Sequence, residues 1–175
     1  MRSVRSFTLA ALALGLAACE DDPLKSGLPE TPAPPNQGVQ AFIQVDNAQA
    51  RPGDEVRVFV RMQFGTESGA KLGSYTGRLT FDPEVVAFKS ESKIDDGLRV
   101  TNPNNAGAGE LRFAGASATG FNDLTLFEGL FLVKKDGFLD AFKLQMEEVS
   151  AASTLANLAP GLDVPNRVFQ RPGIK

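Results

Sequence analysis

The sequence has no histidine, no tryptophan, one tyrosine (Tyr75) and one cysteine (Cys19) among 175 residues. Each absence removes a class of chemistry. Without histidine there is no Ser-His-Asp or Cys-His nucleophile and no imidazole ligand for zinc or iron. A single cysteine cannot close an intramolecular disulfide, so the fold rests on packing alone. Tryptophan and tyrosine are the rings on which sugar-binding modules usually stack pyranose faces, and here that platform is missing. A net charge of −3 gives no reason to expect nucleic acid or a basic patch for anionic lipid. What remains is carboxylate or lysine chemistry, and nothing implies a cofactor or a metal.

The N-terminus carries what the rest lacks, a long apolar run. Arg2 and Arg5 precede Phe7 to Ala18, a charged segment followed by about 12 apolar residues, as in a secretory signal and too short for a comfortable span. Leu16-Ala17-Ala18-Cys19 resembles the lipobox of bacterial lipoproteins. The resemblance implies that residues 1–18 are removed and that Cys19 is acylated, with palmitate or a similar fatty acid, in the bacterial cell envelope. Glu20 is not the aspartate that retains some lipoproteins at the inner membrane, which leans toward the outer membrane or the cell surface. Residues 19–39 follow with Glu20, Asp21, Asp22 and five prolines, a stretch too polar to build a core, expected to act as a disordered tether.

Residues 40–175 form one domain of about 135 residues, within the common size for a single hydrophobic core. Its pattern is short runs with a period of two, broken by Gly, Pro, Asn and Asp. In Glu55 to Met62, Val56, Val58, Val60 and Met62 share one face and Glu55, Arg57 and Arg61 the other. In Ser74 to Phe81, Tyr75, Leu79 and Phe81 oppose Ser74, Thr76, Arg78 and Thr80. Other candidates are 41–46, 85–90, 98–101, 110–114, 124–134, 141–149 and 165–169. Leu124 to Val133 is apolar on both faces and reads as a central strand, with helix the competing assignment; 153–158 has room for one helical turn or none. About nine strands at this spacing predict an all-β, antiparallel sandwich with jelly-roll-like topology.

Several segments in order resemble the cohesin family of extracellular modules: Ala50 to Val56 with Arg51-Pro52-Gly53-Asp54, Leu79 to Phe88 with Phe81-Asp82-Pro83, Gly109 to Gly115, and Leu126 to Val133. The resemblance implies a cohesin-like sandwich that docks a partner module, a dockerin-like protein, on one flat sheet face, with Ser74, Thr76 and Arg78 as outward candidates. Many dockerin-binding members carry Asn or Asp near the first two of these positions, where Ser74 and Thr76 stand here.

Three other groupings compete with that reading. Asp95-Asp96-Gly97 and Asn102-Pro103-Asn104-Asn105 offer oxygen atoms, but neither has the alternating acids of a calcium loop, and turn chemistry accounts for both. Glu147-Glu148 suggests paired carboxylates for glycoside hydrolysis, but adjacent strand residues should point to opposite faces, so a non-catalytic role is expected. Lys134 to Gly137 reads as a hairpin turn. The rival function is polysaccharide binding through loop residues such as Asn102 to Asn105.

Overall fold

Alternation in the central runs decides the architecture, because each apolar set must be buried against a second layer. In a computed structural model, described over residues 31–35, 38–66 and 68–172, ten strands form two sheets. The signal segment, Cys19 and most of the tether lie outside the described residues. The first sheet contains β10 (Val168–Gln170), β1 (Val39–Val45), β2 (Glu55–Phe64), β7 (Thr125–Val133) and β4 (Val86–Glu91), in that order. The second contains β5 (Leu98–Asn102), β6 (Glu110–Ala116), β3 (Leu72–Phe81) and β8 (Phe142–Ala151). All pairings are antiparallel except at the β1 edge, where short β9 (Leu162–Asp163) and β10 run parallel to its two ends. Pro165 lies in the gap between them, where a missing N–H breaks no ladder.

The core lies between the sheets. Val56, Val58, Val60 and Met62 face Tyr75, Leu79, Leu111 and Val149 as the alternation requires. Phenylalanine fills the place tryptophan would take. Phe81, Phe88 and Phe142 each meet Phe131, with ring centres 5.2–5.4 Å apart. Phe113 packs on Phe127 and Phe121 on Tyr75. Each fully buried ring contributes roughly 1.5–3 kcal/mol. The Asp82-Pro83 turn therefore sends Phe81 and Phe88 into one cluster from opposite sheets. Gly53 takes φ +100° in the turn before β2, while Asp54 accepts a hydrogen bond from the Arg51 N–H at 2.9 Å.

Residues 153–158, where the sequence has room for one helical turn or none, form none: the chain folds back on β8, with a Ser150–Asn157 bridge and Leu155 at φ +54° in the bend. The structure corrects two sequence expectations. Lys134 to Gly137 is not a hairpin turn, because β7 and β8 belong to different sheets and the segment crosses between them. The last strand is shorter and later than 165–169, and β9 is an addition. The remaining strands match within a few residues, and β7 is interior, between β2 and β4. Phe59 and Phe127, apolar residues that a contact face would expose, are both buried.

Candidate functional site

Strands β5, β6, β3 and β8 turn one face to the core, and the same alternation turns a four-strand platform outward. Register sets that platform in rows. Leu98, Ala116, Ser74 and Ser150 form the first, Val100, Ala114, Thr76 and Glu148 the second, and Asn102, Arg112, Arg78 and Gln145 the third. Ser74, Thr76 and Arg78 are thus neighbours on the open face, as the alternation predicts. The first two rows are small and apolar on the β5 side, where Leu98 and Val100 are 72% and 60% exposed. A shallow depression of about 180 Å³ opens between Leu98, Val100, Ala114, Ser74 and Thr76. On the inner side of the same strand Gly115 makes room for the Tyr75 ring, which a Cβ there would meet at 2.6 Å.

The third row is ionic. Arg78 lies 2.8 Å from Glu147 and 3.5 Å from Glu110, and Arg112 is 3.1 Å from Glu110. The Arg112 hydrogen bond, helped by Arg78, holds the Glu110 carboxyl below the usual carboxylate range. Both Glu147 and Glu148 reach this face, against the expectation that adjacent strand residues diverge. A bulge explains it: Thr76 pairs with Glu148 but Gly77 with Met146, which leaves Glu147 as the extra residue. The two carboxylates sit on an open surface, one already held by Arg78, and they do not flank a cleft.

β5 is an edge strand with little apolar anchorage, and a polar clamp holds it. Arg99, whose side chain is 9% exposed, points inward between Leu98 and Val100. Its guanidinium donates to the carbonyls of Asp96 and Asp123 at 2.8 Å, to the Tyr75 hydroxyl at 3.2 Å and to the Thr125 carbonyl. It also stacks on Phe121 at 4.5 Å. Asp96 accepts the backbone N–H groups of Asn122 and Asp123 at 2.8 and 2.7 Å, and the Asp123 bond foremost holds its carboxyl low. Burial pushes the Tyr75 hydroxyl up, with Arg99 opposing.

Loop oxygens are similarly committed. Asn102 Oδ1 accepts the Asn104 N–H, and Asp95 pairs with Lys93. Among the described residues no cluster of three or more acidic, His or Cys side chains could hold a metal ion.

The sandwich superimposes on a set of solved structures. The sixth cohesin of scaffoldin B from Acetivibrio cellulolyticus, solved with a Cel5 dockerin, superimposes with TM-score 0.57 at 15% identity, over 77% of this chain and 99% of that one. The domain has the cohesin fold. A type I cohesin–dockerin complex from Clostridium thermocellum matches at TM-score 0.54 and 14% identity, over 77% and 99% of the two chains. A non-cellulosomal cohesin from the archaeon Archaeoglobus fulgidus matches at 0.52 and 18%, over 74% and 91%. No protein-family model and no curated protein matches the sequence. In this cohesin-like domain, alternation alone turns Ser74, Thr76 and Arg78 outward. It does not set Leu98 and Val100 beside them, because the alternation around Arg99 is visible but its face depends on the strand next to it.

Proposed function

We propose that this chain is a non-catalytic docking module, held in the bacterial cell envelope by lipid on Cys19, that binds a protein partner on the β5-β6-β3-β8 face. The observation that carries the reading is the exposure of Leu98 and Val100 beside a flat row of small residues, in a sandwich whose other large apolar strand residues are covered. Exposed apolar residues grouped on one face and rimmed by charge are the ordinary signature of a protein contact. The Arg78 group supplies that rim, and arginine is over-represented among residues whose loss weakens interfaces. Two of the cohesin-fold structures above were solved with a dockerin bound, which makes a dockerin-like module the first partner to try.

The test compares variants on one bait. Lipidated wild-type protein is used to capture partners from the native envelope, beside Leu98→Asp and Arg78→Glu. A protein captured by wild type should be lost with Leu98→Asp and weakened severalfold with Arg78→Glu, both variants melting as wild type does. Capture indifferent to both would remove this face. Retention on glycans that depends on Asn102 would instead establish the polysaccharide reading. Cys19→Ala should release the protein from the membrane fraction, since stable anchoring needs more than one acyl chain.

A further inference from the structure

The two outer faces of the sandwich differ in which charges lack partners. On the β10-β1-β2-β7-β4 side, alternation turns Glu55, Arg57 and Arg61 outward from β2, Glu128, Leu130 and Leu132 from β7, and Asp163 from β9. Arg167 and Arg171 lean over this face from the chain end, 4.8 Å above Phe169 and 4.4 Å above Phe59. Glu128 is engaged by Arg57 at 3.5 Å, and Asp163 accepts from Gln40 at 2.5 Å. Arg61, Arg167 and Arg171 have no carboxylate in ion-pair reach among the described residues. Arg61 is half-buried, with a shielded Nε that no acceptor meets. Half-buried Leu130 and Leu132 lie across from Arg57 and Glu55. On the opposite face Arg78 and Arg112 are already neutralised by Glu110 and Glu147.

The path of the chain points to the same side. Gln63 donates to the carbonyls of Pro32 and Ala33, at 3.2 and 3.3 Å, and Gln44 donates to Thr31 at 3.2 Å. Residues 31–35 therefore form a strap on the outside of β1 and β2, with Pro32 its buried residue. Toward the N-terminus the strap moves from Gln63 to Gln44, which is the partner of Phe59 in register. At Thr31, where the described chain begins, it thus lies on the arginine side, opposite the exposed Leu98 and Val100.

From these two observations we infer that the outer face of the β10-β1-β2-β7-β4 sheet lies against an anionic phospholipid surface, so that the β5-β6-β3-β8 face points away from it. The inference rests on the tethered docking module proposed above. Phosphate headgroups would supply the counter-charge that Arg61, Arg167 and Arg171 lack, within a screening length of about 8 Å. Leu130 and Leu132 would meet the headgroup boundary. The chain as a whole is acidic, so an attraction confined to this one face selects an orientation.

Cys19 is the only cysteine, and acylation blocks its thiol, so an introduced cysteine can be labelled alone. Full-length lipidated protein with a dye at Leu130→Cys or Val100→Cys is reconstituted in vesicles of about 70% phosphatidylethanolamine and about 30% phosphatidylglycerol, an anionic fraction that gives the surface a negative potential. Headgroup-quencher lipids should quench the Leu130 label at least threefold more than the Val100 label. An Arg61→Glu, Arg171→Glu pair should abolish that difference while the protein stays in the membrane fraction. Equal quenching of the two labels in wild type would overturn the inference and leave the anchor standing. A second arm needs no anchor: Cys19→Ser protein should bind phosphatidylglycerol vesicles severalfold more than phosphatidylcholine vesicles. That preference should fade between about 50 and about 200 mM salt, as screening shortens the field's reach to under roughly 10 Å. Equal binding to both lipids would overturn it even if Cys19 were never acylated.

Discussion

The two outer faces begin from the same alternation and end differently. On the β1-β2 side the outward aromatics are covered: Phe42 packs edge-on against Phe169, Arg171 lies over Phe59, and the strap crosses the row of glutamines beneath it. On the β5-β6 side no described residue covers Leu98 and Val100. The difference teaches that in a sandwich whose two sheets both alternate, the open face is set by which side the chain ends return to. Both termini of the domain settle on one sheet and leave the other bare.

That comparison breaks first if its buried side is tolerant. Phe59→Ala should cost about 3–5 kcal/mol, the usual loss for a buried ring, whereas Val100→Ala should stay within about 0.5 kcal/mol. Chemical denaturation of both variants checks this, and similar midpoints would mean that the faces are not distinct. Next in size is Arg99→Ala. It leaves the buried carbonyls that the guanidinium served without their donor and should destabilise by about 3 kcal/mol, with faster amide exchange through β5. Arg99→Lys should recover only a small part, because an ammonium cannot span the same acceptors.

A smaller effect is expected at the strap. Gln63→Ala removes its bonds to Pro32 and Ala33 and should cost about 1 kcal/mol, read as a lower melting point and earlier proteolysis near residue 33. The smallest effect is confined to acid. Asp96 and Glu110 hold their carboxyls below the ordinary value, so the stability they lend is full above the ordinary carboxylate range and is lost as pH falls through the lowered folded values. Asp96→Asn should flatten part of that acid limb and leave the melting point less sensitive to further acidification. An unchanged acid limb in the variant would show that Asp96 does not set it.

The strands are legible in the sequence because their period of two is imposed by burial, and burial acts residue by residue. Val56 to Met62 and Tyr75 to Phe81 can be assigned to the core without neighbours. The outward row at Ser74, Thr76 and Arg78 follows from the same alternation. Pairing is not legible, because β6 meets β3 and β3 meets β8 only through contacts distant in the chain, and so Leu98 and Val100 cannot be set beside Ser74 and Thr76. Alternation misplaces Glu147 and Glu148 for a related reason: it assumes an unbroken ladder, and a bulge is visible only when both strands are aligned. The segment 134–137 misleads because a Gly-containing reversal looks the same whether it joins strands within a sheet or carries the chain between sheets.

The bulge on β8 also changes how this surface can vary. A substitution at Glu147 alters one charge, but deletion of that residue would restore simple alternation through Met146 and Glu148 while leaving the pairing of Val149 with Tyr75 as it is. The strand would lose a carboxylate and straighten at once, and Arg78 would be left with Glu110 alone. Length variation at this single point is therefore a discrete means of switching the charge of the platform, available to a lineage without any rearrangement of the core that supports it.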